Sequence, residues 1–249
     1  MIGETMQHEY RRRYGKDSVI LRHGLKPALR MPGMHEPGSA IRIGFAGSVT
    51  ARSAFNCLLQ ALDSLGWSID GREITLVLMG QRFDLLSAVP RRIECLGYLA
   101  TVDEVVSTLS GCTVNYLPQP FESRWRPFAQ WSFPSKLTTY LAAGAPVLLH
   151  APPHASLPAF FERYPFGALV TQLDAQAVGE ALRELCGDPT LRREACDAGA
   201  AALTEMFSVE RFRNSFAEFL GIELQTRDER PSMQECKEAP APCAASPAS

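Results

Sequence analysis

Three short stretches of the chain carry residue types and spacings that could hold an ion, two of them an anion and one a metal. Gly44, Gly47 and Ser48 close an apolar run, Ile41-Arg-Ile-Gly-Phe-Ala-Gly47-Ser, shortly before a helical pattern that starts near Ser53. Glycines at such a place allow a tight turn. Its backbone N–H groups, with the positive end of the following helix, favour a phosphate-class anion. Arg52 can add a cation there; the alternative is a plain strand-to-helix turn with a solvated arginine. The second stretch is Pro134-Ser135-Lys136, where proline suits a helix start and free N–H groups attract an anion. Lys136 then either reaches a phosphate or stands as a surface lysine. The third is His150 and His154, four residues apart, but Pro152 and Pro153 lie between them and remove the helical face a metal pair would use. No metal is predicted. His23, before Gly24 at a candidate strand end, reads as a packed or hinge residue, and Arg11-Arg-Arg13 as a solvated helix face.

The elements that must position these residues follow from periodicity. Between about residues 41 and 172, short apolar β-rich runs alternate with helical patterns, the signature of a parallel sheet covered on both faces. The predicted strands are Ile41–Ala46, Ile74–Met79, Ile93–Gly97, Thr113–Leu117, Pro146–His150 and Ala168–Thr171. The predicted helices between them are Ser53–Leu65, Thr101–Leu109, Ser135–Ala143 and Leu157–Arg163. The fold class is therefore α/β: a Rossmann-like parallel sheet of about six strands with helices on both faces, followed by a C-terminal helical segment. In that segment three helices are expected. Asp174 caps the first, Asp188-Pro189 opens the second, and Ser208 caps the third, with Phe207 and Phe212 at the positions of a hydrophobic staple. Residues 3–14 read as a helix and Ser18–Arg22 as a strand, ahead of a linker containing Pro27, Pro32, Gly33, Pro37 and Gly38. Residues 1–38 are expected either to pack on the main domain as an arm or to be the remnant of a preceding domain. Residues 39–224 form the main domain, and 225–249, ending Ala-Pro-Ala-Pro-Cys-Ala-Ala-Ser-Pro-Ala-Ser, are expected to be a disordered tail.

Composition narrows the function classes. A net charge of −2 argues against an extended nucleic-acid surface but leaves small anionic ligands open. Seven cysteines, an odd number without a Cys-x-x-Cys pair, suggest neither a disulfide framework nor a zinc site, and reduced thiols imply a cytoplasmic setting. The N-terminus lacks the apolar core of a signal peptide. Leu137–Phe161 has no Asp, Glu, Lys or Arg, but Gly144, Pro146, Pro152, Pro153 and Pro158 interrupt it, so no membrane span is expected. Gly44-x-x-Gly47 lacks the Gly-x-Gly-x-x-Gly spacing of dinucleotide enzymes, which places nicotinamide-dependent redox chemistry last among the readings.

Five segments in order, Ile41–Ser48, Ile74-Thr-Leu-Val-Leu-Met-Gly80, Ile93-Glu-Cys-Leu-Gly-Tyr98, Val114-Asn-Tyr-Leu-Pro118 and Phe133-Pro-Ser-Lys-Leu-Thr-Thr-Tyr-Leu-Ala-Ala-Gly-Ala-Pro-Val147, carry a resemblance. Together they resemble the family 4 (group 1) glycosyltransferases, over roughly residues 3–220. The last segment is similar to that family's donor-site helix running into Gly-x-Pro-Val. The resemblance implies the C-terminal half of a GT-B fold, which binds a nucleotide-diphosphate sugar of UDP or GDP type, with no cofactor. It implies transfer, with retention, to a glycan, lipid-linked or small-molecule acceptor. The donor-binding residues it implies are Gly47, Ser48, Arg52, Gly80, Tyr98, Glu122, Pro134, Ser135, Lys136 and Thr139; catalytic residues are not identified. The matching positions for the family's phosphate-contacting basic residues are Ser48 and Ser53, so Arg52 is one residue off. The family's Glu-x7-Glu pair is altered as well. Glu122 stands either as first member or as an ordinary loop carboxylate, but the second position is Thr139, and the separation is 17 residues instead of 8. The inserted Arg124-Trp-Arg-Pro-Phe-Ala-Gln-Trp131 either covers the donor, touches a membrane surface, or packs its aromatics beneath a long loop. The expected partners are a nucleotide sugar, its acceptor and a separate N-terminal-domain chain, and the expected location is the cytoplasm, peripheral to the membrane in one reading. A non-catalytic nucleotide-sugar module is the alternative function.

Overall fold

The computed structural model describes residues 3–26, 30–31, 39–80 and 91–222. The tail expected at 225–249 and most of the expected linker lie outside them. The elements in chain order are α1 (Glu4–Tyr14), β1 (Ala40–Ala46), α2 (Arg52–Ser64), β2 (Ser68–Ile69), β3 (Arg72–Met79), β4 (Ile93–Gly97), α3 (Val102–Ser110) and β5 (Val114–Pro118). A 3-10 turn (Ser123–Trp125) and α4 (Arg126–Trp131) follow, then α5 (Lys136–Ala142), β6 (Val147–His150), α6 (Ser156–Arg163), β7 (Gly167–Val170), α7 (Ala175–Gly187), α8 (Pro189–Met206) and α9 (Val209–Leu220).

The strands pair in the order β2-β3-β1-β5-β6-β7, with β4 also on β3. All pairs are parallel except β2 with β3. Side chains alternate across a strand, so consecutive residues feed opposite cores. Ile41, Ile43, Phe45, Val114, Tyr116 and Leu148 enter the core shared with α2 and α7. Leu117, Val147 and Leu149 enter the core shared with α5, α6 and α8. Both faces are thereby covered, which is why these strands read as continuous apolar runs rather than as an alternating pattern.

The six predicted strands are present with ends shifted by a residue or two. A seventh, β2, is too short to show periodicity. Its signal was the turn: Asp70-Gly71, both left-handed (φ 51° and 75°), joins β2 to β3 in a two-residue hairpin. The N-caps at Asp174, Asp188 and Ser208 form as expected. The staple is divided: Phe207 packs on Phe133 and Phe160, while Phe212 stacks on Phe216. The expected long loop after Glu122 is instead a 3-10 turn running into α4.

Ser18–Arg22 does not form the expected strand; the segment has no β-partner among the described residues. What holds it is side-chain chemistry. The Arg22 guanidinium is buried over the rings of Phe133, Phe160 and Phe207, at 4.5, 5.9 and 6.0 Å, and pairs with Glu4. Leu25 N–H donates to Phe207 O (2.8 Å), and Met31 N–H donates to Ala142 O (2.9 Å). A Cβ on Gly24 would fall 2.5 Å from the Ser208 backbone, so the arm and the start of α9 meet backbone to backbone.

Candidate functional site

The chain leaves β1 toward β3 on one side and reaches β5 on the other, so strand order reverses between β1 and β5. In an open α/β sheet the crevice at the carboxyl ends of such a pair is where ligands bind. Gly47, at the end of β1, takes φ 111°, and Gly80, at the end of β3, takes φ 117°. Gly47 N–H donates to Met79 O (2.8 Å) and Gly80 N–H to Gly97 O (2.6 Å), so three strand exits are tied together. The approach is close. A Cβ on Gly80 would sit 2.7 Å from Gly47 O, and one on Gly47 would sit 2.9 Å from Lys136 Nζ.

Lys136 opens α5 and lies against that glycine turn, its Nζ 5.2 Å from the Phe45 ring centre. No carboxylate pairs with it among the described residues. Burial lowers its pKa from the ordinary value. One helical turn on, Tyr140 carries α5 to the same place. Its buried hydroxyl accepts from Ala46 N–H at 2.8 Å. Tyr140 is a positioning residue that motif reasoning passed over; its spacing of four from Lys136 puts both side chains on one helix face.

Glu122 stands on the loop after β5. Its Oε1 accepts from Ser53 N–H (3.1 Å) in the first turn of α2, whose own N-cap, Ala51, offers no side chain to cap it. Its Oε2 is buried and has no hydrogen-bond partner among the described residues. Burial pushes the Glu122 carboxyl up, but the Glu122 and Ser53 N–H groups, the nearby Ser53 hydroxyl and the Arg124 charge outweigh that and hold it below the ordinary value. It is an ionised acceptor with one oxygen unspent.

The remaining predicted residues surround this centre with fewer constraints. Ser48 and Arg52 are exposed, Arg52 as the first residue of α2. Tyr98 is 77% exposed, one residue beyond the Gly97 carbonyl that receives Gly80. Pro134 precedes the helix instead of opening it: Ser135 is the N-cap, without a side-chain cap bond. Pro134 O and Ser135 O accept from Leu137 N–H and Thr138 N–H. Thr139 is half-buried, and its hydroxyl makes no hydrogen bond among the described residues.

Other candidate chemistries are engaged elsewhere. His150 uses both ring nitrogens, Nδ1 with the Tyr116 hydroxyl (2.8 Å) and Nε2 with Gln172 O (2.7 Å). Exposed His23 holds Thr138 Oγ1 through Nε2 at 3.0 Å. Burial pushes the Cys112 and Cys186 thiols up to about 11, which disfavours the thiolate. Among the described residues, no group of three His, Cys, Asp or Glu stands close enough to hold a metal ion, and no helix is long and apolar enough to cross a membrane.

No family model and no curated protein matches the chain. Solved structures do. WaaG, a glycosyltransferase involved in lipopolysaccharide biosynthesis, aligns over 88% of this chain and 61% of its own at 14% identity, with TM-score 0.59. Sucrose-phosphate synthase from Thermosynechococcus elongatus aligns over 88% of this chain and 57% of its own at 16% identity, TM-score 0.65. Anabaena HepE in complex with UDP-glucose aligns over 82% and 57% at 14% identity, TM-score 0.57. The chain thus spans less than two thirds of the length of each of these proteins. Its fold is the Rossmann-like fold found in GT-B glycosyltransferases.

Proposed function

We propose that this chain is the donor-binding half of a GT-B glycosyltransferase, holding a nucleotide-diphosphate sugar at the crevice between β1 and β5. The observation that carries the reading is Lys136: a partly buried ammonium with no carboxylate partner among the described residues, against a glycine turn at the switch point of a parallel sheet. A desolvated cation of this kind is satisfied by an anionic ligand. A diphosphate at the Gly47 turn would meet the Lys136 ammonium, the start of α2 and, within reach, Arg52 and Ser48. Glu122 supports the sugar end of the reading, because its unspent Oε2 is an acceptor for a sugar hydroxyl. Tyr98 and Gly80 would flank the nucleotide side, and Thr139 would offer a hydroxyl to the ribose where the family carries a carboxylate.

The chemistry this half supplies is positioning and charge stabilisation of the departing diphosphate. An acceptor, with the retaining outcome the resemblance implies, belongs with a second domain. HepE was solved with UDP-glucose, which makes uridine the first base to test. A second reading, a nucleotide-sugar module without turnover, is favoured by Thr139 in place of the glutamate. Calorimetric titration with UDP, GDP and their sugar conjugates, without metal, tests the proposal. Saturable binding to one base supports it, and no binding to any of them by folded protein refutes it.

A further inference from the structure

We infer that the outer edge of β7 takes an added strand from a partner, an extended segment in which basic and apolar residues alternate. Which amide groups of β7 are free follows from two bonds of its ladder with β6. Val147 N–H donates to Phe166 O (2.9 Å) and Ala151 N–H to Val170 O (3.0 Å). In a parallel ladder the bonding residues alternate, so Phe166, Ala168 and Val170 serve β6, and Gly167, Leu169 and Thr171 turn their N–H and C=O groups outward. Among the described residues β7 pairs with β6 alone, and no other backbone bond reaches these three. The opposite edge of the sheet is guarded differently. There β2 has two residues, while β4 carries Glu94, paired with Arg42, and a register shift against β3. β7, Gly167-Ala-Leu-Val170, has neither a charge nor a proline, the usual devices that keep an edge from pairing.

A groove of about 510 Å³ runs along this edge, lined by Phe161 of α6, by Glu180 and Glu184 of α7, and by Leu191 of α8. Its two walls differ in chemistry. Leu169 and Phe161 pack on the core of α5, α6 and α8, whereas Ala168, Ala177 and Ala181 pack on the core of α2 and α7. An added strand therefore points alternate side chains toward Phe161 and toward the α7 carboxylates. Both glutamates are exposed; Glu180 accepts from Gln176 Nε2 (2.9 Å), and neither pairs with a cation among the described residues. Apolar residues suit the first wall and Lys or Arg the second. The edge itself selects a polypeptide, since an extended chain offers N–H and C=O groups at strand spacing. A second copy of this chain fits less well. Two copies joined along β7 about a two-fold axis would bring α7 against its own image, carboxylates facing carboxylates. The edge lies two strands beyond the β1–β5 crevice, and peptide binding there needs no nucleotide, so it stands apart from the donor reading.

The test is titration of the full chain into a short fluorescein-labelled peptide of alternating lysine and valine, read by anisotropy. Saturable binding is expected, weakening as salt rises from low to physiological. An alternating glutamate–valine peptide should not bind. N-methylation of every second residue should abolish binding in one phase and spare it in the other, since only one set of amides faces β7. Glu180→Gln with Glu184→Gln should weaken binding roughly two- to thirtyfold, the range for two exposed ion pairs, at an unchanged melting temperature. Absence of binding, equal binding of the acidic peptide, indifference to methylation in both phases, or full binding by the double variant overturns the inference. So does a dimer of this chain that the lysine–valine peptide disperses, which would give the edge to a second copy.

Discussion

Replacing Lys136 with methionine separates a binding role from a structural one, because the two predict opposite signs. Methionine keeps an apolar stem beside Phe45 and deletes the ammonium. If a phosphate is the missing partner, the variant loses a charge-assisted hydrogen bond to a desolvated group, about 1.5–3 kcal/mol. The dissociation constant for UDP should then rise roughly tenfold to 150-fold. Stability should move the other way or not at all, since the free protein holds this cation without a carboxylate partner among the described residues. Burial depresses the Lys136 pKa below its usual 10.5. Between the folded value and 10.5 the unfolded chain therefore binds more protons than the folded one. The stability penalty is fully present at neutral pH and is relieved as pH rises through the folded value toward 10.5. Lys136→Met removes that alkaline slope. Calorimetric titration with UDP and thermal melts from neutral to alkaline pH measure both quantities. Unchanged UDP affinity, or a melting temperature lowered along with the affinity, refutes the assignment.

Glu122→Gln keeps an oxygen for Ser53 N–H but takes the charge from the orphaned position. Affinity for the sugar conjugate should fall about tenfold to a hundredfold while affinity for the bare nucleotide hardly changes, as paired titrations would show. Because the folded Glu122 pKa is depressed, its stabilising contribution is present above 4.5 and is lost as pH falls through the folded value; acid-denaturation curves of Glu122→Gln and wild type should converge there. Gly80→Ala combines φ 117° with a Cβ 2.7 Å from Gly47 O, so it should cost at least about 1–3 kcal/mol in denaturant unfolding and weaken UDP binding. Tyr140→Phe leaves the buried Ala46 N–H without its acceptor and should lower stability by about 1–3 kcal/mol, read from the urea midpoint.

The sheet was legible because its strands are buried on both faces: Ile74–Met79 or Val147–His150 can be little else at that length and composition. The C-terminal helices were legible from their caps, since Asp174, Asp188 and Ser208 mark ends that need oxygen acceptors. The arm was not. Ser18–Arg22 carries β-favouring Val19 and Ile20, but its backbone finds no strand partner among the described residues, and the decisive contact, Arg22 over three rings, joins residues far apart in sequence. In the site, Gly47 and Lys136 could be named from local chemistry, because a glycine turn and a helix start each advertise themselves. That they touch could not, since it depends on how α5 packs against the end of β1. Glu122 was visible as a family-like position, but its bond to Ser53 N–H spans 69 residues and is a property of the fold.

Why α5 can hold a lysine in so costly a place follows from its geometry. The helix has only seven residues, too short to be stable by propensity, so it persists through packing. Leu137, Thr138, Tyr140, Leu141 and Ala142 are all buried, and the Tyr140 hydroxyl is fastened to the Ala46 backbone. Residues four apart share a face, so the bond that fixes Tyr140 also fixes where Lys136 points, toward Gly47. The helix thereby pre-sets the ammonium, and a diphosphate arriving at the turn need not draw in a flexible chain. The entropy of ordering that side chain is spent at folding rather than at binding. An isolated surface lysine would have kept its rotamers and its water; this one has given up much of both, and an anion at Gly47 is the partner that would compensate it.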